Sequence, residues 1–204
     1  KLKGLTGEVN VYMDDRGMPH IYAGNEHDLY LAVGYIMARE RLWQMDLIRR
    51  ATTGRLSEIF GADYVQTDLF LRSLEMTAKS KMLLSTEDQT VLEAMQAYAD
   101  GVNFYISEAG RKLPPEFRLL GYKPDPWKLE DLANIIGYMG WDLASDNLTS
   151  DIFYYRLAQK LGPEKAAELI PDWQATGTVV FPEFKLSEEM MKNAGDFISS
   201  MDKV

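Results

Sequence analysis

The stretch RERLWQMDLIRR, Arg39 to Arg50, decides how the rest of the chain is read. It sets four arginines among bulky apolar residues, in a chain whose formal net charge is -9. Residues three, four, seven and eleven apart share one face of an α-helix. Arg39, Trp43, Asp46 and Arg50 fall on one such stripe, where Asp46 can pair with Arg50 at i, i+4. Arg49 falls on the apolar stripe of Ala38, Leu42 and Met45, and Leu47 and Ile48 cover more of the circumference. A helix apolar nearly all round is a buried helix. Its arginines then need partners inside the fold, because an unpaired buried charge costs several kcal/mol. Guanidinium forks suit carboxylates or backbone carbonyls there. The pattern predicts structural cations rather than an anion-binding site.

Working outward, the helix extends from Glu26 to about Thr52, with Asn25 as N-cap and Asp28 near its positive end. Before it, residues 8–13 and 19–23 alternate as two short strands joined by DDRG, with Gly17 free to take a positive φ. After it, RLSEIFG, 55–61, forms a short helical turn, and 64–84 a broken helix. Ser85 and Asp88 resemble a capping box opening a helix to about Ala109, with Val91, Met95, Tyr98, Val102 and Tyr105 as its apolar stripe. LPPEFRLLGYKPDPW, 113–127, reads as an ordered connector, since it carries aromatic and apolar side chains among its prolines. A helix follows from Lys128 to about Leu143. Asp146-Asn147 and Thr149-Ser150 are expected to break it before another runs to Leu161. Pro163 opens a short one to Ile170. Thr178 to Phe181 is β-prone and has no partner nearby, which points to strands supplied by another chain. The organisation expected is one unit over 1–204: a β-hairpin in 1–24, a helical region in 25–173, and a strand and tail in 174–204.

The acidic balance argues against a general affinity for nucleic acid or anionic lipid. The 204 residues include no cysteine and two histidines, His20 and His27. No GxSxG elbow, HExxH or phosphate loop occurs. No apolar run approaches the roughly 18 to 20 residues a membrane span needs. KLKGLTGEV is not a secretory signal, and a mature chain with its signal removed looks the same. An enzyme containing this chain does not draw an ordinary histidine-based nucleophile from it. His20 reads as a structural histidine tying the hairpin to the helix, and His27 as a surface residue. Arg55 and Glu58 can pair locally.

GMPHIYAGNEHDLYLAVGYIMARERLWQMDLIRRATTGRLSEIFG, 17–61, closely resembles the opening of the penicillin-acylase family α chain. The family elements occur here in order: Gly17, Pro19, His20 and Ile21; Gly34 and Tyr35; Arg41 to Met45; Arg49 and Arg50; Gly54, Arg55 and Leu56; Phe60 and Gly61. The resemblance continues through LPPEF, 113–117, and KPDPWKLEDL, 123–132, and fades after about Trp173.

The resemblance implies an α+β chain, mostly helical, with an N-terminal hairpin and a C-terminal strand. It would contribute to an αββα N-terminal-nucleophile hydrolase sandwich completed by a β chain. Family members cut one precursor into an α chain of about this length and a longer β chain. The β chain's N-terminal residue, usually serine, is the nucleophile, and its own α-amino group is the base. No catalytic residue is then expected in this chain, whose end near Val204 would lie close to a removed spacer. In YMGWDLASDNLTSDI, 138–152, Thr149, Ser150, Asp151 and Ile152 match the family's Thr-Ser-acid-Ile element. That carries the calcium-ligand acid over to Asp151, in place of a glutamate. Counting back, the family's pocket Met, Arg and Phe fall on Trp141, Ala144 and Ser145. Trp141 keeps an apolar wall or is a core tryptophan. Ala144 and Ser145 imply a differently shaped, roomier acyl pocket. The expected function is hydrolysis of the amide of an N-acylated small molecule, a β-lactam side chain or an N-acyl homoserine lactone. The expected compartment is the periplasm or the exterior. A non-enzymatic helical binding or scaffold protein is the alternative that the missing catalytic residues also allow.

Overall fold

The computed structural model describes residues 2–169 of the chain. The expected strand at 178–181 and the tail lie outside the described residues. The chain divides into two units, Lys1–Asp146 and Asn147–Val204.

The first unit opens with the expected hairpin. Strand β1, Val9–Met13, pairs antiparallel with β2, Pro19–Ala23, in the register Val9↔Ala23 to Met13↔Pro19. Gly17 takes φ 75° in the turn. The Asp14 carboxylate accepts from the Arg16 and Met18 amides. His20 does not tie the hairpin to the helix. Its Nε2 lies 3.3 Å from Asp14 Oδ2, so it braces the turn of its own hairpin.

Helix α1, Glu26–Thr52, is capped by Asn25, whose side chain accepts from the Asp28 amide. Asp28 does more than meet the helix dipole. It is fully buried and accepts from the Thr6 and Gly7 amides, the Thr6 hydroxyl and the Asn25 side-chain amide. Burial pushes its carboxyl up, but the hydrogen bonds from Thr6, Asn25 and His27 outweigh that and hold it well below the usual carboxylate range. Asp68 and Glu58 are also lowered. Burial opposes the Ser57 and Leu56 donors at Asp68, and the Arg55 hydrogen bond leads at Glu58. Such carboxylates stabilise the fold above their unfolded range, near about pH 4, and that contribution is lost as pH falls through their folded values. The urea midpoint is therefore expected to fall on acidification from about pH 5 to about pH 3. Asp28→Asn should make that fall shallower while lowering the midpoint at neutral pH. An unchanged pH slope in the variant would refute the assignment.

Ser57–Phe60 forms the short helix α2, closed by Gly61 at φ 88°. The broken helix is α3, Val65–Ser73, and α4, Met76–Thr86. The break falls at Glu75, which takes the left-handed φ of 54°. Helix α5, Gln89–Ala109, starts one turn later than Ser85 suggests. Asp88 alone is its cap, accepting from the Thr90 amide, and Ser85 sits inside α4 with its hydroxyl on the Met82 carbonyl.

Helices α1 and α5 form the centre of the unit. A Cβ on Gly34 would stand 2.0 Å from the Tyr98 carbonyl oxygen, and one on Gly101 2.0 Å from that of Leu31. The two main chains thus cross in direct contact. The buried side of α5 is Ala97, Ala99, Gly101, Val102, Tyr105 and Ala109. Val91 at the head of the expected stripe is exposed. Ala38, Leu42 and Met45 of α1 join this core, together with Phe117 and Trp127 of the connector. The connector is ordered, as its aromatic content suggests. It contains α6, Pro115–Leu119.

Helix α7, Leu129–Leu161, runs unbroken through the polar stretch expected to interrupt it. Asn147, Thr149 and Ser150 are exposed on it, and residues 141–161 hold no proline or glycine. Polar residues of this kind cost a helix only about 0.5 kcal/mol each. The stretch does mark the boundary between the two units. Of the second unit, the described residues are the end of α7 and α8, Pro163–Leu169, which follows Gly162 at φ 84°. No helix among the described residues is long and apolar enough to cross a membrane.

Candidate functional site

The scaffold behind the candidate site is the arginine helix itself. Two of its four arginines are internal, and two are not. Arg49 and Arg50 are buried, while Arg39 keeps 42% of its side chain exposed and pairs with its neighbour Glu40. Arg41 is exposed at a local departure from helical geometry, φ -138° and ψ 15°. The helix therefore buries one side rather than its whole circumference.

Asp46 is fully buried and gathers the internal pair. It accepts from Arg49, from Arg50 Nε at 3.1 Å and from the Tyr122 hydroxyl at 2.7 Å. Arg49 also donates to the Asp125 carbonyl at 2.9 Å, and Arg50 to Glu58 at 2.7 Å. The guanidinium of Arg49 stands 5.1 Å from the Trp127 ring centroid, and that of Arg50 4.5 Å from Tyr122. Burial and the Asp46 carboxylate push the Tyr122 hydroxyl well above the usual phenol range. These cations are structural, as the stripes imply. The sequence-local partners were readable from spacing. The Tyr122 hydroxyl and the connector carbonyls, more than seventy residues away, carried no local signal.

The cluster also reaches the start of α7. Arg49 lies 3.7 Å from Asp131, whose carboxylate accepts from the Lys128 amide at 2.9 Å. Burial raises the Asp131 carboxyl. The first turn of the helix that carries the candidate pocket residues is thereby fixed to α1.

Trp141 is half-buried in the first unit. Its ring meets Tyr138 at 5.8 Å and Phe70 at 5.7 Å between centroids, and it packs against the cluster of Ala51, Leu56 and Leu71. Its indole Nε1 is buried with no hydrogen-bond partner among the described residues. Its other side lines a groove of about 330 Å³ between α4 and α7, with Leu74, Met76, Leu83, Ile136 and Gly137. Trp141 is therefore both packed and a wall. Ala144 is exposed and Ser145 half-buried, with the Ser145 hydroxyl donating to the Asp142 carbonyl at 3.0 Å. In the second unit, Asp151 is exposed. The described residues hold no cluster of three or more acidic, histidine or cysteine groups suited to a metal. Arg55 pairs with Glu58 through two bonds of 2.8 Å, as their spacing suggests.

Residues 8–194 match the penicillin amidase family. An acyl-homoserine lactone acylase, QuiP, of Pseudomonas syringae pv. tomato is 36% identical over 172 residues, 84% of this chain and 21% of that protein. The penicillin acylase 2 proenzyme of Pseudomonas sp. strain SE83 is 37% identical over 127 residues, 62% of this chain and 16% of that protein. Among solved structures, the thermostable penicillin G acylase of Alcaligenes faecalis superimposes with a TM-score of 0.67 at 26% identity, over 88% of this chain and 97% of that one. The chain belongs to the penicillin amidase family. It spans about one fifth of the length of the curated relatives it matches.

Proposed function

We propose that this chain is the α subunit of an acylase that hydrolyses the amide bond of an N-acylated small molecule. The observation that carries the proposal is the family match over 8–194, joined to a fold that covers 97% of one chain of a solved penicillin G acylase. In this reading a separate, longer β chain comes from the same precursor, as the name proenzyme on one relative suggests. Its N-terminal serine attacks the acyl carbonyl. Its own α-amine, with an ordinary pKa near about 8, takes the hydroxyl proton at neutral pH without a histidine. The C–N bond then breaks, the amine leaves with that proton, and water hydrolyses the acyl ester. Backbone or side-chain donors on the β chain would hold the oxyanion.

This chain would supply part of the acyl pocket through Trp141, Ala144 and Ser145. The exposed methyl of Ala144 leaves room for an acyl group of a different shape from phenylacetyl. Both β-lactam side chains and N-acyl homoserine lactones stay within the substrate class, since relatives named for each are comparably similar. Asp151 would give one carboxylate to a calcium ion shared with the β chain, which supplies the other oxygens. Its exposure leaves the carboxylate open to a hard cation that takes six to eight oxygen ligands. The compartment proposed is the periplasm or the exterior.

The test is N-terminal sequencing of the protein purified from its full-length precursor, with acyl-amide hydrolysis assayed alongside. Two chains are expected, the longer beginning with serine, and changing that serine to alanine should abolish hydrolysis. An active serine variant, or a processed protein inert toward every acyl amide, would defeat the proposal. For the metal, Asp151→Asn should remove a calcium-dependent rise in melting temperature. A rise that persists in the variant takes Asp151 out of the site.

A further inference from the structure

We propose that the connector of the first unit carries a binding site for an amphiphilic carboxylate, a molecule with an apolar body and one carboxylate head. The site is a groove of about 600 Å³ walled by Leu113, Pro114, Phe117 and Tyr122, with Arg118 and Lys123 also lining it. It uses none of Trp141, Ala144 or Ser145. The local charge runs against that of the whole chain. Residues 110–123 carry four cations, Arg111, Lys112, Arg118 and Lys123, against one acid, Glu116, in a chain of net charge -9. Glu116 is not among the residues lining the groove. Arg118 and Lys123 are exposed and form no ion pair among the described residues, whereas Arg49, Arg50 and Arg55 are each paired. Their charge is therefore available to a bound anion.

An exposed cation alone holds an anion weakly, because water screens the pair and a long side chain has to be ordered. Here the cations stand beside apolar walls that are fixed in place. Phe117 meets Tyr122 at 5.2 Å and Trp43 at 5.5 Å between ring centroids. The Tyr122 hydroxyl donates to the buried Asp46 carboxylate at 2.7 Å. Pro114 and Pro115 restrict the backbone where it enters α6. A preformed groove of this size, mostly apolar with a few polar groups, is the usual form of a small-molecule site, and binding there orders little of the protein. An inorganic anion would use only the cations, and a neutral apolar molecule only the walls. An amphiphilic anion uses both. The choice of carboxylate as the head rests on the amide hydrolysis proposed above, which releases an acid of this form. The groove and its cations do not depend on that reading.

The test uses the whole protein, expressed from its full-length precursor and titrated by calorimetry. Octanoate is the probe, and octanol is its uncharged counterpart. Octanoate is expected to bind the parent saturably. In the double variant Arg118→Gln with Lys123→Gln, octanoate should bind about tenfold more weakly, and octanol as in the parent. Both side chains are exposed, so the melting temperature without ligand should match the parent. Lys3→Gln with Lys81→Gln removes the same charge from exposed positions elsewhere and should keep parental octanoate binding. Octanoate that fails to bind the parent, or binds the Arg118 and Lys123 variant as tightly, would overturn the proposal. So would an equal loss in the Lys3 and Lys81 variant, since the effect would then be that of net charge. A protein that shows the expected octanoate pattern yet hydrolyses no acyl amide defeats the acylase reading and leaves the site standing.

Discussion

Asp46→Asn is expected to lower the unfolding free energy by about 3–5 kcal/mol, measured as the shift of the urea midpoint at constant slope. The carboxylate is fully buried between two buried guanidiniums and a tyrosine hydroxyl. Neutralising it leaves Arg49 and Arg50 inside without their shared counter-charge. Glu58 remains near Arg50, but it is half exposed and already engaged by Arg55. Near Arg49 the remaining carboxylate is that of Asp131, at the longer distance of 3.7 Å and already accepting from the Lys128 amide, and the connector carbonyls accept its hydrogen bonds without cancelling its charge. Asparagine keeps the shape, so the loss reads the charge and not a cavity. Tyr122→Phe is the milder companion. It removes one donor to Asp46 and should cost about 1–3 kcal/mol, because the carboxylate keeps its two cations. A loss from Asp46→Asn no larger than that of Tyr122→Phe would mean the arginines are satisfied without it.

Gly34→Val has the second large expected effect, a loss of roughly 3 kcal/mol or more, with poor recovery of folded protein. The obstacle is main chain, not a side chain that can swing away. The added Cβ would sit 2.0 Å from the Tyr98 carbonyl oxygen. Relief requires α1 and α5 to separate, which opens the core formed by Ala38, Leu42, Ala99 and Val102. Gly101→Val should behave alike, since its Cβ would meet the Leu31 carbonyl at the same distance. Gly24→Val is the contrast, because nothing lies within 4 Å of a Cβ there. Equal melting temperatures for Gly34→Val and Gly24→Val would remove the close crossing from the account of the fold.

Much of this was legible in the order of residues. The hairpin, the arginine helix and the ordered connector follow from local pattern, and Asp46–Arg50 from spacing alone. Three features were not. The burial of Asp28 depends on Thr6 and Gly7, which have no periodicity to announce them. The unbroken course of α7 depends on its polar residues facing outward, whereas their type alone suggested a break. The close α1–α5 crossing rests on Gly34 and Gly101, which no local pattern marks as contact points. For the candidate site, sequence placed Trp141, Ala144, Ser145 and Asp151 by resemblance. The structure added what resemblance could not: a packed and a groove-lining side on Trp141, and an α7 start fastened to Arg49.

The irregular backbone at Arg41 divides α1 into two lengths with different duties. The leading length is notched to α5 at Gly34, and the trailing length is moored to the connector and α7 through Asp46, Arg49 and Arg50. Gly34 and Asp46 are twelve residues apart, about 18 Å along a helix. Between them the helix is already irregular, so Arg41 is the position in the middle of α1 where a residue that disfavours helix would cost least.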